Sequence, residues 1–203
     1  MSPRAAVVRK QRSVGSALQR PLKIVVTGPF ASGKTTLIET VSEIAVVGTE
    51  RDVSDGAKSI KSRTTVAMDF GRISFPGGLS LFLFGTPGQR RFEIMWEILS
   101  EGMLGFIILV HAGDLGSLEE AVHILDTFQR YADVPYVVGV SHLDRTDRAV
   151  DEVLAHVRGA LLVPDDIEVL ACDPRSREDV KALMLQVLFG VLRRLDRAST
   201  HAV

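Results

Sequence analysis

Gly28-Pro29-Phe30-Ala31-Ser32-Gly33-Lys34-Thr35 follows the apolar run Leu22-Lys23-Ile24-Val25-Val26-Thr27 and leads into Thr36-Leu37-Ile38-Glu39-Thr40-Val41. Strand, glycine-bounded loop and helix in that order are what a phosphate-cradling loop requires. Gly28 and Gly33 can take backbone angles that turn successive N–H groups inward, and the helix points its positive end at the same spot. Phe30, Ala31, Ser32 and Thr36 complete the expected lining. Lys34 is placed to reach the β- and γ-phosphates, and the Thr35 hydroxyl to sit on Mg²⁺. A glycine turn that matches by chance is the competing reading, and the flanking strand and helix weigh against it. The expected ligand is a nucleoside triphosphate or diphosphate.

The 203 residues suit one domain, and 46% hydrophobic with 24% charged residues is ordinary for a globular chain with a sizeable core. A net charge of −1 supplies no electrostatic footprint for nucleic acid. The lone Cys172 cannot form an intrachain disulfide, which suits a reducing cytoplasm. No apolar run reaches transmembrane length, and no signal peptide or lipidation motif is visible. The expectation is a soluble, cytoplasmic protein, brought to a membrane only by its partners.

Residues 1–20 carry Arg4, Arg9, Lys10, Arg12 and Arg20 without an acidic residue and read as a disordered basic tail. From Leu22 strands and helices alternate. Helix is expected over Lys34–Ala45, Phe92–Glu101, Leu118–Ala132, Arg148–Leu162 (with Asp147 as N-cap) and Ser176 to about Asp196. Strand is expected over Leu22–Thr27, Val66–Phe75, Leu79–Phe84, Leu104–His111, Pro135–Val140 and Ile167–Ala171. Pro76-Gly77-Gly78 is read as a hairpin turn, and the stripe Leu183, Val187, Leu188, Val191, Leu192, Leu195 as a sheet-packing helix face. The sum is an α/β fold: one domain over 21–197, with a mostly parallel six-stranded sheet, helices on both faces and one antiparallel hairpin. Residues 198–203 are read as a second tail.

The other strand ends should complete the nucleotide site. Phe84-Gly85-Thr86-Pro87-Gly88-Gln89 resembles the second switch of small Ras-like GTPases, Asp-x-x-Gly followed by Gln. By that resemblance Gly88 bonds the γ-phosphate and Gln89 orients the attacking water. Gly85 stands where the family carries an aspartate that serves the metal. Asp69 is read as an outward-facing strand carboxylate, with replacement of that lost partner as the alternative. Arg63-Thr64-Thr65 falls at the first switch, where Thr65 (or its neighbour Thr64) would offer its hydroxyl to Mg²⁺. Ser141-His142-Leu143-Asp144 stands at the family's Asn-Lys-x-Asp. Asp144 would read guanine, His142 would stack on the base, and the Ala171-Cys172-Asp173 segment would bring a backbone N–H, at Cys172, to the guanine O6.

Together GKTT, TTVAMDFG and FGTPGQ resemble the prokaryotic small GTPases of actinobacterial conservons, kin to the bacterial gliding-motility polarity GTPase. The resemblance implies a GTP/GDP switch with Mg²⁺ that hydrolyses GTP slowly alone. It also implies a Roadblock/LC7-domain partner and a sensor-kinase-like protein of the same operon. Lys34 and Gln89 are the expected catalytic residues. Arg63 ranks ahead of Arg90 and Arg91 as the arginine that steadies the γ-phosphate. Two other readings stay open: a nucleotide-dependent scaffold with little hydrolysis or relaxed ATP/GTP selectivity, and a small-molecule kinase. Met95, Trp96 and Ile98 are candidates for a partner-facing patch, with packing on the sheet as the competing reading.

Overall fold

The computed structural model of the chain describes residues 22–46 and 68–200. Its strands are β1 (Leu22–Thr27), β2 (Asp69–Ser74), β3 (Ser80–Gly85), β4 (Gly105–His111), β5 (Tyr136–Ser141) and β6 (Val169–Ala171). Its helices are α1 (Lys34–Val41), α2 (Glu93–Ser100), α3 (Leu118–Tyr131), α4 (Val150–Ala160) and α5 (Arg177–Thr200). The strands form one six-stranded sheet in the order β2-β3-β1-β4-β5-β6. All neighbours run parallel except β2 and β3, which pair antiparallel through the Pro76-Gly77-Gly78 turn.

The pleat sends alternate residues to opposite faces, and each face has its own core. Ile24, Val26, Ile107 and Leu109 point to the layer of α1 and α5, where they meet Leu37, Ile38, Leu183 and Val187. Val25, Phe106, Ile108 and Val110 point the other way, to Trp96, Ile124, Phe128 and Val157 of α2, α3 and α4. All seven residues of β4 are buried, as a central strand covered on both faces requires.

Several boundaries differ from expectation. α1 ends at Val41, where Ser42 turns extended, and not at Ala45. α4 starts at Val150 behind an extended Ala149, so Asp147 is not its cap. α5 runs on to Thr200, so residues 198–200 of the expected C-terminal tail are helical. Its apolar stripe packs as far as Leu188; Leu192 and Leu195, beyond it, are exposed. The expected basic tail, Arg63, Thr64 and Thr65 lie outside the described residues.

Candidate nucleotide site

At the carboxyl end of β1 the chain enters the loop at Gly28, with φ of 138°. A Cβ there would lie 2.1 Å from the Leu109 carbonyl oxygen, so the loop sits on β4 only because this residue has no side chain. Gly33, at φ 98°, closes the loop and hands over to α1, whose first turn holds no acidic residue. The Lys34 ammonium is buried and crosses the loop, donating to the carbonyls of Gly28 (2.9 Å) and Pro29 (2.7 Å). Ser32 is buried beneath it, Phe30 and Ala31 are exposed at the tip, and Thr36 reaches the neighbouring cavity.

The Thr35 hydroxyl donates to the Asp69 carboxylate at 2.7 Å. Asp69 is therefore turned toward the phosphate loop, which corrects its reading as an outward-facing strand carboxylate. The register explains the turn. Asp69 pairs with Gly85 across the β2–β3 ladder, and a Cβ at 85 would come within 2.9 Å of Asp69 Cβ and 3.0 Å of its Oδ2. The missing side chain on β3 is the space that the β2 carboxylate uses. A hydroxyl and a carboxylate oxygen are the hard donors that Mg²⁺ takes, one or two from protein with the rest from water and phosphate. The residues fit that ion.

Beyond Gly85, the chain is held against the loop. Thr86 bonds Val26 O through its N–H (2.9 Å) and the Thr27 hydroxyl through its own (2.8 Å). A Cβ at Gly88 would lie 2.5 Å from the Phe30 nitrogen, so this residue touches the phosphate loop's backbone directly. The indole N–H of Trp96 donates to Pro87 O at 3.0 Å, tying α2 to the same segment. Trp96 is fully buried and belongs to the core; Ile94 and Ile98 are the exposed apolar residues of α2, 69% and 54% accessible. Gln89 is half-buried at the start of a 3-10 turn, and Arg91 lies over the Phe92 ring.

A cavity of about 330 Å³ adjoins the loop at the ends of β5 and β6. Ser141 is buried and donates to Ser32 O at 2.8 Å, pinning the cavity to the phosphate loop. A hydroxyl has one proton, so its oxygen then accepts from His142 Nδ1, 2.9 Å away. His142 has φ of 56° and stacks on His111, with ring centroids 4.0 Å apart and 10° between planes. One face of its ring is thus already covered. Burial, then the neighbouring His111 and Arg145, push its pKa below the ordinary value of 6.5. Asp144 is exposed at the rim. Cys172 is buried, with its thiol pushed up to about 12 by desolvation, and its N–H is taken by Val140 O at 2.9 Å. His111, Pro174 and Asp179, which are not among the expected site residues, complete this end.

A protein family described as "conserved hypothetical ATP binding protein" matches residues 46–166 of the chain. The chain belongs to that family. The match begins after the phosphate loop, so loop geometry and family membership are independent supports. The chain is also similar to an uncharacterized protein of Methanocaldococcus jannaschii, 30% identical over 132 residues, 65% of this chain and 77% of that one. It is similar to translation initiation factor IF-2 of Syntrophobacter fumaroxidans, 24% identical over 185 residues, 89% of this chain but 18% of that protein. IF-2 of Clostridium perfringens strain 13 is 28% identical over 177 residues, 84% of this chain and 24% of that protein. The chain thus spans a quarter or less of these two initiation factors. As a member of the family with this loop and sheet, it is a nucleotide-binding, GTPase-like P-loop protein. Among the described residues, no helix is long and apolar enough to cross a membrane.

Proposed function

We propose that the chain is a small nucleotide switch that binds GTP and GDP with Mg²⁺ and hydrolyses the triphosphate slowly on its own. The observation that carries this reading is the Thr35–Asp69 contact beside the loop, with Gly85 opposite making room for it. Thr35 and Asp69 would hold the metal, Thr35 directly, and Thr65 would join them from the first switch. The ion supplies neutralisation of charge on the β- and γ-phosphate oxygens. Lys34 exchanges its two loop carbonyls for phosphate oxygens, which satisfies its ammonium in both states. The inward N–H groups of residues 29–34 supply fixed donors to the same oxygens.

Gln89 orients the attacking water, and Gly88, in contact with Phe30, passes the state of the loop to α2. Arg63 remains the favoured arginine for the γ-phosphate. A Roadblock/LC7-domain protein is the proposed activator or effector, with a sensor-kinase-like protein in the same pathway, as in the conservon and gliding-motility GTPases that the motifs resemble.

Titration of the full chain with a fluorescent GTP analogue, with Mg²⁺ and with chelator, tests the reading. Mg²⁺ should tighten binding, and Asp69→Asn should remove about 10- to 100-fold of that gain while leaving the chelator value unchanged. Failure to bind, or a gain that survives in Asp69→Asn, overturns it. Single-turnover assays with and without a Roadblock partner separate slow hydrolysis from a scaffold that never hydrolyses.

A further inference from the structure

Guanine and adenine differ where a protein can read them. Guanine presents an acceptor at position 6 and donors at N1 and N2; adenine presents a donor at position 6 and an acceptor at N1. A site that admits guanine and rejects adenine therefore needs a donor aimed at position 6, and a backbone N–H held by the fold is a pre-organised form of it.

The segment that closes the cavity beyond β6 is Cys172 to Ser176, and every one of its backbone donors is accounted for. Cys172 N–H goes to Val140 O at 2.9 Å and Ser176 N–H to Asp173 O at 2.8 Å. Asp173 N–H goes to Asp179 Oδ2 at 2.9 Å, and Arg175 N–H to Asp173 Oδ1 at 2.9 Å. Pro174 has no N–H. Its ring is buried against the loop, with Cγ 2.8 Å from where a Cβ on Gly33 would stand, so the residue is locked in place. The Arg175 guanidinium is held by Asp173 through Nε at 2.8 Å and Nη2 at 2.9 Å. The charged residues at the cavity are the carboxylates Asp144, Asp173 and Asp179 together with Arg145 and Arg175.

We propose that the base pocket accepts adenine and guanine nucleotides alike, and that Pro174 and Asp179 are the residues that set this tolerance. Asp144 gives guanine its N1 and N2 partner. No backbone donor from residues 172–176 answers O6, and the carboxylates at the cavity can accept from the amine of adenine. This rests on the nucleotide-switch reading above and names its substrate class: purine nucleoside triphosphates without selection for guanine.

The test is equilibrium titration of the full chain, with Mg²⁺, against fluorescent GTP, ATP and CTP analogues. GTP and ATP should bind within about tenfold of one another, with CTP weaker than both. Pro174→Ala restores an N–H to the segment, and Asp179→Ala releases that of Asp173. Each should shift the GTP-to-ATP ratio about tenfold toward GTP; two variants keep the test decisive if one folds poorly. GTP binding with ATP excluded overturns the inference and leaves the switch reading standing, as does CTP binding as tightly as the purines. Ratios unchanged in both variants remove Pro174 and Asp179 from the selection. Binding of none of the three overturns the switch reading itself.

Discussion

Asp69 and Gly85 act as one unit split across two strands. Adding a carboxylate at 85 while Asp69 remains would press like charges together, with Asp69 Oδ2 only 3.0 Å from the new Cβ. Gly85→Asp alone should therefore lower both stability and Mg²⁺-dependent nucleotide affinity. Combined with Asp69→Gly, which removes the facing Cβ as well as the carboxylate, it should recover much of the affinity, because the carboxylate returns to the same neighbourhood from β3. Thermal melts and nucleotide titrations on the four proteins of the cycle would show a coupling of about 0.5–3 kcal/mol; additive effects would mean that the two positions serve separate purposes. His142 makes a second residue-scale prediction. Its folded pKa lies below 6.5, so the unfolded chain takes up its proton first as pH falls. Stability from this group is complete above the unfolded value and is lost as pH drops from there through the folded value. Melting temperature should fall across that window, and His142→Gln should flatten the slope; an unchanged slope would assign the loss to other groups.

At the scale of elements, the segment Gly85–Gln89 is built into the molecule from both ends. Thr86 is tied to β1, Gly88 to the phosphate loop and Pro87 to Trp96 of α2, so phosphate loop, Gly85–Gln89 and helix form one contact chain. Trp96→Phe keeps most of the buried ring but leaves Pro87 O without its donor, at a cost of about 1–3 kcal/mol. Trp96→Ala should cost about 3–5 kcal/mol. Chemical denaturation measures both, and a near-neutral Trp96→Phe would show that water replaces the indole. The same elements show what can be read from a sequence. The phosphate loop is legible because its glycines, lysine and threonine are contiguous and bracketed by a strand and a helix. β4 is legible because a doubly covered strand is a nearly continuous apolar run, here Phe106 to Val110. Asp69 reads less well, since its role depends on which residue it faces across a hairpin, and a one-residue slip in register would turn it away. The spent amides of 172–176 cannot be read at all: amides carry no sequence signature, and only the fold shows where each one goes.

At the scale of the whole molecule, the proposed switch turns on how a phosphate at the carboxyl end of the interior strand β1 would be felt by another protein. α2 stands at the end of the contact chain, with Trp96 inward and Ile94 and Ile98 outward. These two are four residues apart and so share a helix face. An exposed isoleucine pair beside the segment proposed to sense the nucleotide is suited to a partner that distinguishes the triphosphate from the diphosphate state, and the Roadblock-domain protein proposed above is the candidate. Ile94→Asp and Ile98→Asp place a charge on that face without touching loop, cavity or core. Each should weaken partner binding by about 30-fold or more, as expected for an apolar anchor at the centre of an interface. GTP affinity and melting temperature should stay at wild-type values. Titration calorimetry with the chain loaded with a non-hydrolysable GTP analogue measures the first, and binding should be weaker with GDP if α2 reports the γ-phosphate. Partner affinity untouched by either aspartate would move the interface elsewhere. Equal affinity in the two nucleotide states would break the link from Gly88 through Trp96 to the surface.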